Sequence, residues 1–371
     1  MIDYSFLTKQ FSYARRAFWS LAVLLFVAVF GAWLAAESSP HRLLPPLIPY
    51  ASTTQNLDAA FASPLSLSVE NNNYRRHWLG TDGLGRDVAA GIIQGTRTAL
   101  VVGFGGMIVA LFIGLPLGLM AGFFGDDRLE ASISGLILRG MGVGLWLYFA
   151  FVLLHLDNSV GAFLGELMFI AVCFSLIINM LQWFLKKIFF LKFLNRRIVV
   201  PLDSSIMRLV EIMQAVPIFL WLLAALAVVG SQKLTVGSLA LLIGLTSWTT
   251  FTRLVRGEMW RIRSLEFMEA AATTGASSAR QMLRHALPNV VSPALVAFAF
   301  GVGSGVLFEA LLSFVGLGLP AETVTWGTLL GEARTDFSRW WLVVFPGLAI
   351  FITVYTCNRL GETIGNRQIR Q

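Results

Sequence analysis

Charged residues are scarce in this chain of 371 residues, since Asp, Glu, Lys and Arg together make up only 13% of it. Soluble domains usually contain about 25% charged residues, and here apolar runs recur along the whole sequence. The composition therefore excludes an ordinary soluble domain and predicts an all-α polytopic membrane protein. The net charge of +7 does not indicate a nucleic-acid partner, because Lys and Arg cluster at the ends of apolar segments, where they orient membrane helices.

Residue patterns for catalysis and metal binding are also missing. The two cysteines, Cys173 and Cys357, lie inside apolar runs, which indicates buried small side chains and not a disulfide or metal pair. No lysine directly follows a glycine, so the phosphate-binding loop of nucleotide hydrolases is absent. The histidines form no HExxH pair, and the sequence has no GxSxG motif. We therefore predict no catalytic residue, no metal site and no bound cofactor on this chain.

Carboxylates within the apolar segments are few. Glu211 and Glu309 are the candidates for proton sites, and each lies near the end of its predicted span. A secondary transporter or channel working without an ATPase is therefore the disfavoured alternative. A membrane-embedded enzyme is a weaker one, because no nucleophile, metal or phosphate site is recognisable. The source of energy for any transport is predicted to lie on another polypeptide.

Apolar segments of about 20 residues predict about eight membrane spans. They are 18–36, 98–124, 134–156, 161–185, 207–229, 236–252, 289–312 and 340–358. The positive-inside rule then places both termini in the cytoplasm. Five regions follow from this topology: 1–36, the cytoplasmic N-terminus and first membrane helix; 37–96, an external loop; 97–125, a core membrane helix; 126–200, an inserted helical hairpin with a basic linker; and 201–371, a core transmembrane domain.

Two features follow from glycine and proline usage. Prolines recur in 37–96 and predict irregular structure with short turns. Span 98–124 is rich in glycine, which lets neighbouring helices approach closely where lipid supplies no hydrophobic drive for association.

The loop 265–288 is a long polar interval between two spans, and its arginine content places it in the cytoplasm. It predicts two short helices, 265–274 and 279–286. Gly275 is a natural left-handed terminator, Ser277 or Ser278 can cap the second helix, and Pro288 suits the first turn of the next span. A helix pair of small residues fits a groove on another protein; the alternative is a plain inside loop with helical character.

Two further motifs lie in the predicted external segments. Residues 77–88 read HWLGTDGLGRDV; their glycines permit tight turns, Asp82 can cap a turn, and Arg86 and Asp87 can tie the loop to helix ends or to a partner. An ordered loop without a ligand role remains the alternative. Residues 309–318 read EALLSFVGLG and predict a span that ends in a glycine-turned segment, which either lines a cavity or is a structural turn.

These three motifs together resemble a known family. Glu269, Ala270 and Ala271, followed by Gly275 and then by Leu287 and Pro288, resemble the EAA loop of permease subunits of bacterial ABC importers. His285 precedes Leu287 by two residues, a sequence pattern that is frequent in the peptide-importer branch. The signature of dipeptide and oligopeptide permease C-type subunits is similar to the external positions His77, Leu79, Gly80, Thr81, Asp82, Gly85, Arg86 and Asp87. The third run of that branch is similar to the positions Glu309, Ser313, Phe314, Gly316 and Gly318.

The resemblance implies a MetI-like ABC importer transmembrane domain in the bacterial cytoplasmic (inner) membrane, with the hairpin in 126–200 as an addition. It implies a homologous second permease, two ABC ATPase subunits or domains that bind ATP and Mg, and an external solute-binding protein. The 265–288 loop would couple to the ATPases, and the 309–318 motif would belong to the translocation path. Peptides or similar small solutes are the implied cargo.

Overall fold

The computed structural model describes residues 50–70, 73–132, 197–229, 234–320, 323–336 and 338–368, together with the isolated positions 21, 22, 48 and 142. Within these residues the protein is mainly helical, and the predicted all-α membrane class is confirmed. Two compact units are distinguished along the chain. The first comprises 1–119 and 210–371, and the second comprises 120–209.

The helices of the described residues are named here in chain order. They are α1 (Val88–Phe124), α2 (Leu202–Ala215), α3 (Ile218–Val229), α4 (Val236–Arg263), α5 (Glu266–Thr273), α6 (Ser278–Arg280), α7 (Leu287–Val315), α8 (Trp326–Glu332) and α9 (Trp341–Gln368). A π-helical turn, Gln281–Ala286, joins α6 to α7, and short 3-10 turns occupy Leu57–Ala59 and Ala333–Thr335.

The strands form two small antiparallel pairs. In the first unit β1 (Ser66–Glu70) pairs with β2 (Asn73–His77), and Ser66 lies opposite His77. In the second unit β3 (Glu130–Ser132) pairs with β4 (Arg197–Val199). The hairpin β1–β2 belongs to the region that the prolines predicted to be free of long helices, and its strands add regular structure that the prediction lacked.

Among the described residues, four helices are long and apolar enough to cross a membrane: α1, α4, the continuous helix Ser278–Val315 and α9. If the bent pair of α2 and α3 is counted as one span, the described residues contain up to five candidate membrane spans. These correspond to the predicted spans 98–124, 236–252, 289–312, 340–358 and 207–229. Apart from positions 21, 22 and 142, the predicted spans 18–36, 134–156 and 161–185 lie outside the described residues, so the prediction of about eight spans stays a prediction.

The predicted span 207–229 is broken into two helices. Helices α2 and α3 meet at an angle of 81°, and the break falls at Val216 and Pro217. Proline lacks a backbone N–H and its ring clashes with the preceding turn, which is why the helix ends there. The Trp221 indole Nε1 donates to the Met213 carbonyl at 2.9 Å and so supplies a donor to a carbonyl at the broken end of α2.

The boundary predicted at residue 96 between external loop and first core helix is also displaced. Helix α1 begins at Val88 and is 37 residues long, so residues 88–96 are helical. Asp87 accounts for this start, because its Oδ1 accepts from the Ala90 backbone N–H at 2.9 Å. That bond satisfies one of the free donors of the first helical turn.

Glycines allow α1 to contact α4 and α7 closely, as the composition of span 98–124 predicted. A Cβ atom on Gly114 would lie 2.6 Å from the Trp248 carbonyl oxygen, and one on Gly118 would lie 2.7 Å from the Thr252 carbonyl oxygen. On the other side, a Cβ on Gly305 of α7 would lie 3.2 Å from the Gly103 Cα. Backbones at this separation exclude side chains, and the packing replaces the hydrophobic drive that lipid does not provide.

Candidate functional site

The 265–288 loop is a helix, a tight turn and a second helical segment. Helix α5 begins after Leu265 and ends at Thr274, where Gly275 takes the left-handed conformation with φ of 79°. The Ala276 N–H donates to the Ala271 carbonyl and the Gly275 N–H to the Ala272 carbonyl, which closes the helix end. Ser277 then caps α6, since its hydroxyl accepts from the Arg280 N–H at 3.4 Å. The predicted terminator and one of the two predicted caps are thus found.

The second half of the loop differs from its prediction. The separate helix expected over 279–286 is instead continuous with the next span, so that Ser278–Val315 forms one helix of 38 residues. The π-helical turn Gln281–Ala286 lies within it, and Pro288 falls in the first turn of α7 as predicted. Pro288 has no N–H to continue a regular α-helical ladder at that point, and the wider π turn accommodates its ring.

The faces of the loop differ in burial. Met268, Ala271 and Ala286 are buried, whereas Glu269, Ala270 and Gly275 are exposed. Exposed large apolar side chains lie on the same loop: Leu265 is 38%, Phe267 41% and Leu283 61% exposed. His285 and Leu287 are half-buried, and Pro288 is exposed. The loop therefore presents small and apolar side chains outward from the ends of two spanning helices.

The external motif at 77–88 is folded into the protein. His77, Thr81, Asp82, Arg86 and Asp87 are all buried. The Asp82 carboxylate accepts from the Arg86 Nε at 2.6 Å and from the Arg86 backbone N–H at 2.8 Å. His77 Nδ1 contacts Asp87 Oδ2 at 2.9 Å. Each buried charge in this cluster has a partner, as burial in a low-dielectric interior requires.

The same motif is attached to distant helices. Arg86 Nη2 donates to Glu332 Oε1 at 2.9 Å, and the Gly83 N–H donates to Glu332 Oε2 at 2.7 Å. The Trp341 indole donates to the Thr81 carbonyl at 3.1 Å. Burial, together with the nearby Asp82 charge, raises the pKa of the Glu332 carboxyl, while the Gly83 N–H and Arg86 act against that shift. The motif thus joins the start of α1 to α8 and α9.

Close packing explains the glycines of this motif. Gly80 has φ of 83° and Gly85 has φ of 70°, a region that favours glycine. A Cβ on Gly85 would lie 1.8 Å from the Asn56 carbonyl oxygen. Leu79 is half-buried and packs against the cluster formed by Val88, Trp341 and Leu342. The predicted turns are present, and the residues form one connected polar cluster.

The 309–318 motif closes α7 and supports α8. Glu309 and Ser313 are buried, and the Ser313 hydroxyl donates to Glu309 Oε1 at 2.9 Å. The helix ends at Gly316, which is exposed and has φ of 84°. Phe314 is half-buried and Gly318 buried. A role of these five residues in a translocation path stays a prediction; in this structure most of them serve the packing of α7 on α8.

A cavity of about 570 Å³ lies elsewhere in the first unit, between α1, the α2–α3 break, α4 and α7. Its volume is within the range of about 300–1,000 Å³ typical of small-molecule sites. Hydroxyl groups and the Gln214 amide provide its polar lining, and methionine and aromatic side chains its apolar lining. None of the five residues predicted for the path from the 309–318 motif is among its lining residues.

Sequence reasoning missed several residues that matter here. Glu332 carries no local signal, because its partners Gly83 and Arg86 are about 250 positions away along the chain. Gln214 lies in the predicted span 207–229 as a polar residue, which is a signal of function in a membrane helix, and Arg253 directly follows the predicted span 236–252. Within the described part of the chain, no group of three or more His, Cys, Asp or Glu side chains is arranged to hold a metal ion.

Comparison with known proteins gives one family. The profile described as "Binding-protein-dependent transport system inner membrane component" matches residues 190–368. That interval contains the 265–288 loop, the cavity helices α2, α3, α4 and α7, and the 309–318 motif.

Individual relatives extend the match. The chain is 29% identical over 287 residues to the glutathione transport system permease protein GsiD of Pectobacterium atrosepticum, covering 77% of this chain and 70% of the relative. It is 26% identical over 343 residues to the di/tripeptide transport system permease protein DppC of Pseudomonas aeruginosa, covering 92% and 82%. A shorter match, 38% identical over 161 residues, is to GsiD of Shigella flexneri and covers 43% of this chain and 52% of that protein.

Proposed function

Because the chain belongs to the family of binding-protein-dependent transport system inner membrane components and is a multi-pass permease subunit of an ABC importer, we propose that it moves short peptides into the cell. It does so in a complex with a homologous second permease, two ATPase subunits or domains, and an external solute-binding protein. ATP and Mg are bound by the ATPases and not by this chain. Both termini lie in the cytoplasm.

The 265–288 loop is the surface on which an ATPase docks. The observation that carries this assignment is its outward face, where Glu269 and Ala270 lie beside the exposed side chains of Leu265, Phe267 and Leu283. A short helix with small and apolar residues on one side fits a groove in another protein. Since α4 leads into the loop and α7 leads out of it, a displacement of the docked ATPase moves two spanning helices together.

Peptides are the proposed cargo for two reasons. The relatives named above are called permeases for glutathione and for di- and tripeptides. The cavity combines hydroxyl and amide groups, which hydrogen-bond to peptide groups, with methionine and aromatic side chains, which adapt to varied side chains. Alternating access would expose this cavity to each side of the membrane in turn.

Gly275 provides a test of the docking surface. A Cβ at this position would meet nothing within 4 Å, yet φ is 79°. A β-branched residue would therefore not clash but would be forced out of the left-handed conformation, at a cost of about 1–2 kcal/mol. We expect Gly275→Ile to insert into the membrane normally and to lose co-purification with the ATPases, together with peptide-driven ATP hydrolysis.

Gly275→Asn is the matched control, because asparagine tolerates the left-handed conformation. It should retain ATPase binding close to that of the unchanged chain. Normal ATPase binding and transport in Gly275→Ile would contradict the coupling assignment. Peptide transport by a purified complex that lacks any ATPase would instead favour the secondary transporter or channel.

A further inference from the structure

A charged residue, Arg253, lies next to the cavity on α4, on the side toward the 265–288 loop. We propose that Arg253 attracts the carboxylate of the solute in this cavity, so that the cargo is held with its anionic end toward that loop. This inference rests on the proposed function, because it assigns a chemical class of solute to the permease's own cavity. It names short peptides with a free carboxylate, and it names Arg253 as the residue that recognises them.

The position of Arg253 follows from its helix. Thr249 and Thr250 line the cavity, and Arg253 comes four and three residues after them on α4, so it lies on the same face one turn further on. Arg253 is ten residues before Arg263, the end of α4, which is about 15 Å along the helix axis. Along α4, Arg253 therefore lies between the cavity-lining residues and the loop.

Gln214 fixes the guanidinium at the cavity edge. Gln214 is a lining residue; its Nε2 donates to the Thr249 hydroxyl at 3.3 Å, and its Oε1 accepts from Arg253 Nη2. An amide in this position holds the long arginine side chain against the cavity wall without neutralising it. Such positioning reduces the conformational freedom that binding a ligand would otherwise remove.

The charge of Arg253 is compensated differently from that of other arginines. Arg86 contacts Asp82 and Glu332, Arg261 contacts Glu258, and Arg359 contacts Glu362. Among the residues that the structure describes, the hydrogen-bond partner of Arg253 is the neutral Gln214. Arg253 is exposed and directly follows the predicted span 236–252 on α4. A carboxylate gives a guanidinium a stronger, bidentate partner than an amide does.

The rest of the cavity suits the remainder of a peptide. Its lining residues include no Asp, Glu, Lys or Arg, so the wall of the cavity itself carries no charge. Thr246, Ser247 and Ser304 offer hydroxyl groups that both donate and accept hydrogen bonds, while Met107 and Phe300 offer apolar surface. A peptide amide group finds partners there, and side chains of different size meet adaptable walls.

A thiol placed in the cavity tests the charge directly. The native cysteines are first removed by Cys173→Ala and Cys357→Ala, and Thr250→Cys then adds one thiol. Membrane vesicles that contain the assembled complex are treated with two methanethiosulfonate reagents. One carries an anionic sulfonatoethyl group and the other a cationic trimethylammonioethyl group. The anionic reagent should react preferentially, and adding Arg253→Gln should lower the anion-to-cation rate ratio about tenfold. Arg253→Lys should keep most of the preference, and Arg256→Gln, whose guanidinium lies over the Trp260 ring at 4.0 Å, should leave the ratio unchanged. A ratio that Arg253→Gln does not alter, or a thiol that neither reagent reaches, overturns the proposal.

Transport tests the assignment to peptides. Proteoliposomes with the complete complex and saturating binding protein are given trialanine or trialanine amide, and the ratio of their maximal uptake rates is compared between variants. Arg253→Gln should lower the rate for trialanine about tenfold while changing the amide little, so that the preference for the carboxylate is lost. An equal effect on both probes would make Arg253 a structural residue only and overturns the assignment. If the unchanged complex imports neither probe, the proposed function fails, whereas the thiol experiment still decides the role of Arg253.

Discussion

The external motif and the 265–288 loop are both short signatures of this chain, but they are built in opposite ways. In the external motif the polar side chains are buried, with Asp82 at 0% and Asp87 at 2% exposure, and they are bound to α8 and α9. In the 265–288 loop Glu269 and Ala270 are exposed, and the hydrogen bonds are local, such as those from the Thr273 and Thr274 hydroxyls to the Ala270 carbonyl at 3.0 Å.

This difference separates two roles that a short motif can have. The external motif is required by contacts inside the chain, because each of its buried charges needs its partner. The exposed residues of the 265–288 loop make few contacts inside the chain. Their residue types are explained instead by contact with a partner protein. Changes in the two regions should therefore have different consequences: loss of stability in the first, and loss of partner binding in the second.

The largest effect is expected for Arg86→Met. Removal of the guanidinium leaves Asp82 buried without its main partner and removes one of the donors to Glu332, and breaking a buried ion pair in this way costs about 3–5 kcal/mol. Thermal unfolding of the purified complex should show a clearly lower midpoint. The matched change in the other region, Arg280→Met on the exposed helix α6, should leave the midpoint nearly unchanged; equal losses would contradict the comparison.

Two glycines of similar conformation give the next comparison. Gly85 and Gly275 have φ of 70° and 79°, so alanine carries a conformational cost of about 1–2 kcal/mol at each. At Gly85 the new Cβ would also lie 1.8 Å from the Asn56 carbonyl oxygen, whereas at Gly275 it would meet nothing. We expect Gly85→Ala to destabilise the complex more than Gly275→Ala. The measurement is the midpoint of thermal unfolding of each purified complex. The reverse order would show that the external motif is not tightly packed.

The pH dependence of the external motif is a smaller effect. The pKa of Glu332 is raised above the ordinary 4.5, chiefly by burial, so the folded protein holds this proton at pH values where the unfolded chain has lost it. The contribution of Glu332 to stability is therefore fully present below pH 4.5, and it declines as the pH rises through the pKa of the folded state. Relative to Glu332→Gln, which removes the titrating group, the unchanged chain should gain thermal stability as the pH is lowered from 7.5 to 4.5. A constant difference over that interval would mean that Glu332 is not held in a desolvated site.

The smallest effect on folding is expected for Glu269→Gln. Glu269 is exposed in the first turns of α5, where a carboxylate near a helix N-terminus contributes about 0.3–1 kcal/mol. The thermal midpoint should move little, but affinity for the ATPases should fall several-fold if the side chain lies in their groove. Unchanged affinity would place Glu269 outside the contact while leaving the rest of the loop available.

How far the sequence predicts the site differs between the two regions. Gly275, Ser277 and Pro288 could be assigned to a terminator, a cap and a first helical turn, because these roles depend on backbone rules that act over a few residues. The external turns at Asp82 followed for the same reason. Glu332 could not be predicted as the partner of Arg86 and Gly83, since the pairing depends on how α8 packs near the start of α1.

The spans show the same division. Hydropathy located the long helices, because a helix that crosses lipid must satisfy its backbone internally and be apolar over about 20 residues. Hydropathy did not show the 81° break between α2 and α3, although Pro217 lies within the predicted span. A proline in a membrane helix produces a mild bend or a full break according to what neighbouring helices offer to the freed backbone groups, and here Trp221 provides a donor.

The amino-acid sequence by itself thus determined the membrane class, the glycine-dependent contacts of α1 and the outline of the 265–288 loop, because composition and short-range backbone rules suffice for these. Only the tertiary structure decided that the polar side chains of the external motif form a buried cluster. It also decided that α2 and α3 are separate helices, and that a cavity lies beside them with Arg253 at its edge. The polar cluster and the cavity depend on side chains far apart in the chain, whose positions follow from helix packing, and the α2–α3 break depends on Pro217 together with the donor that Trp221 provides.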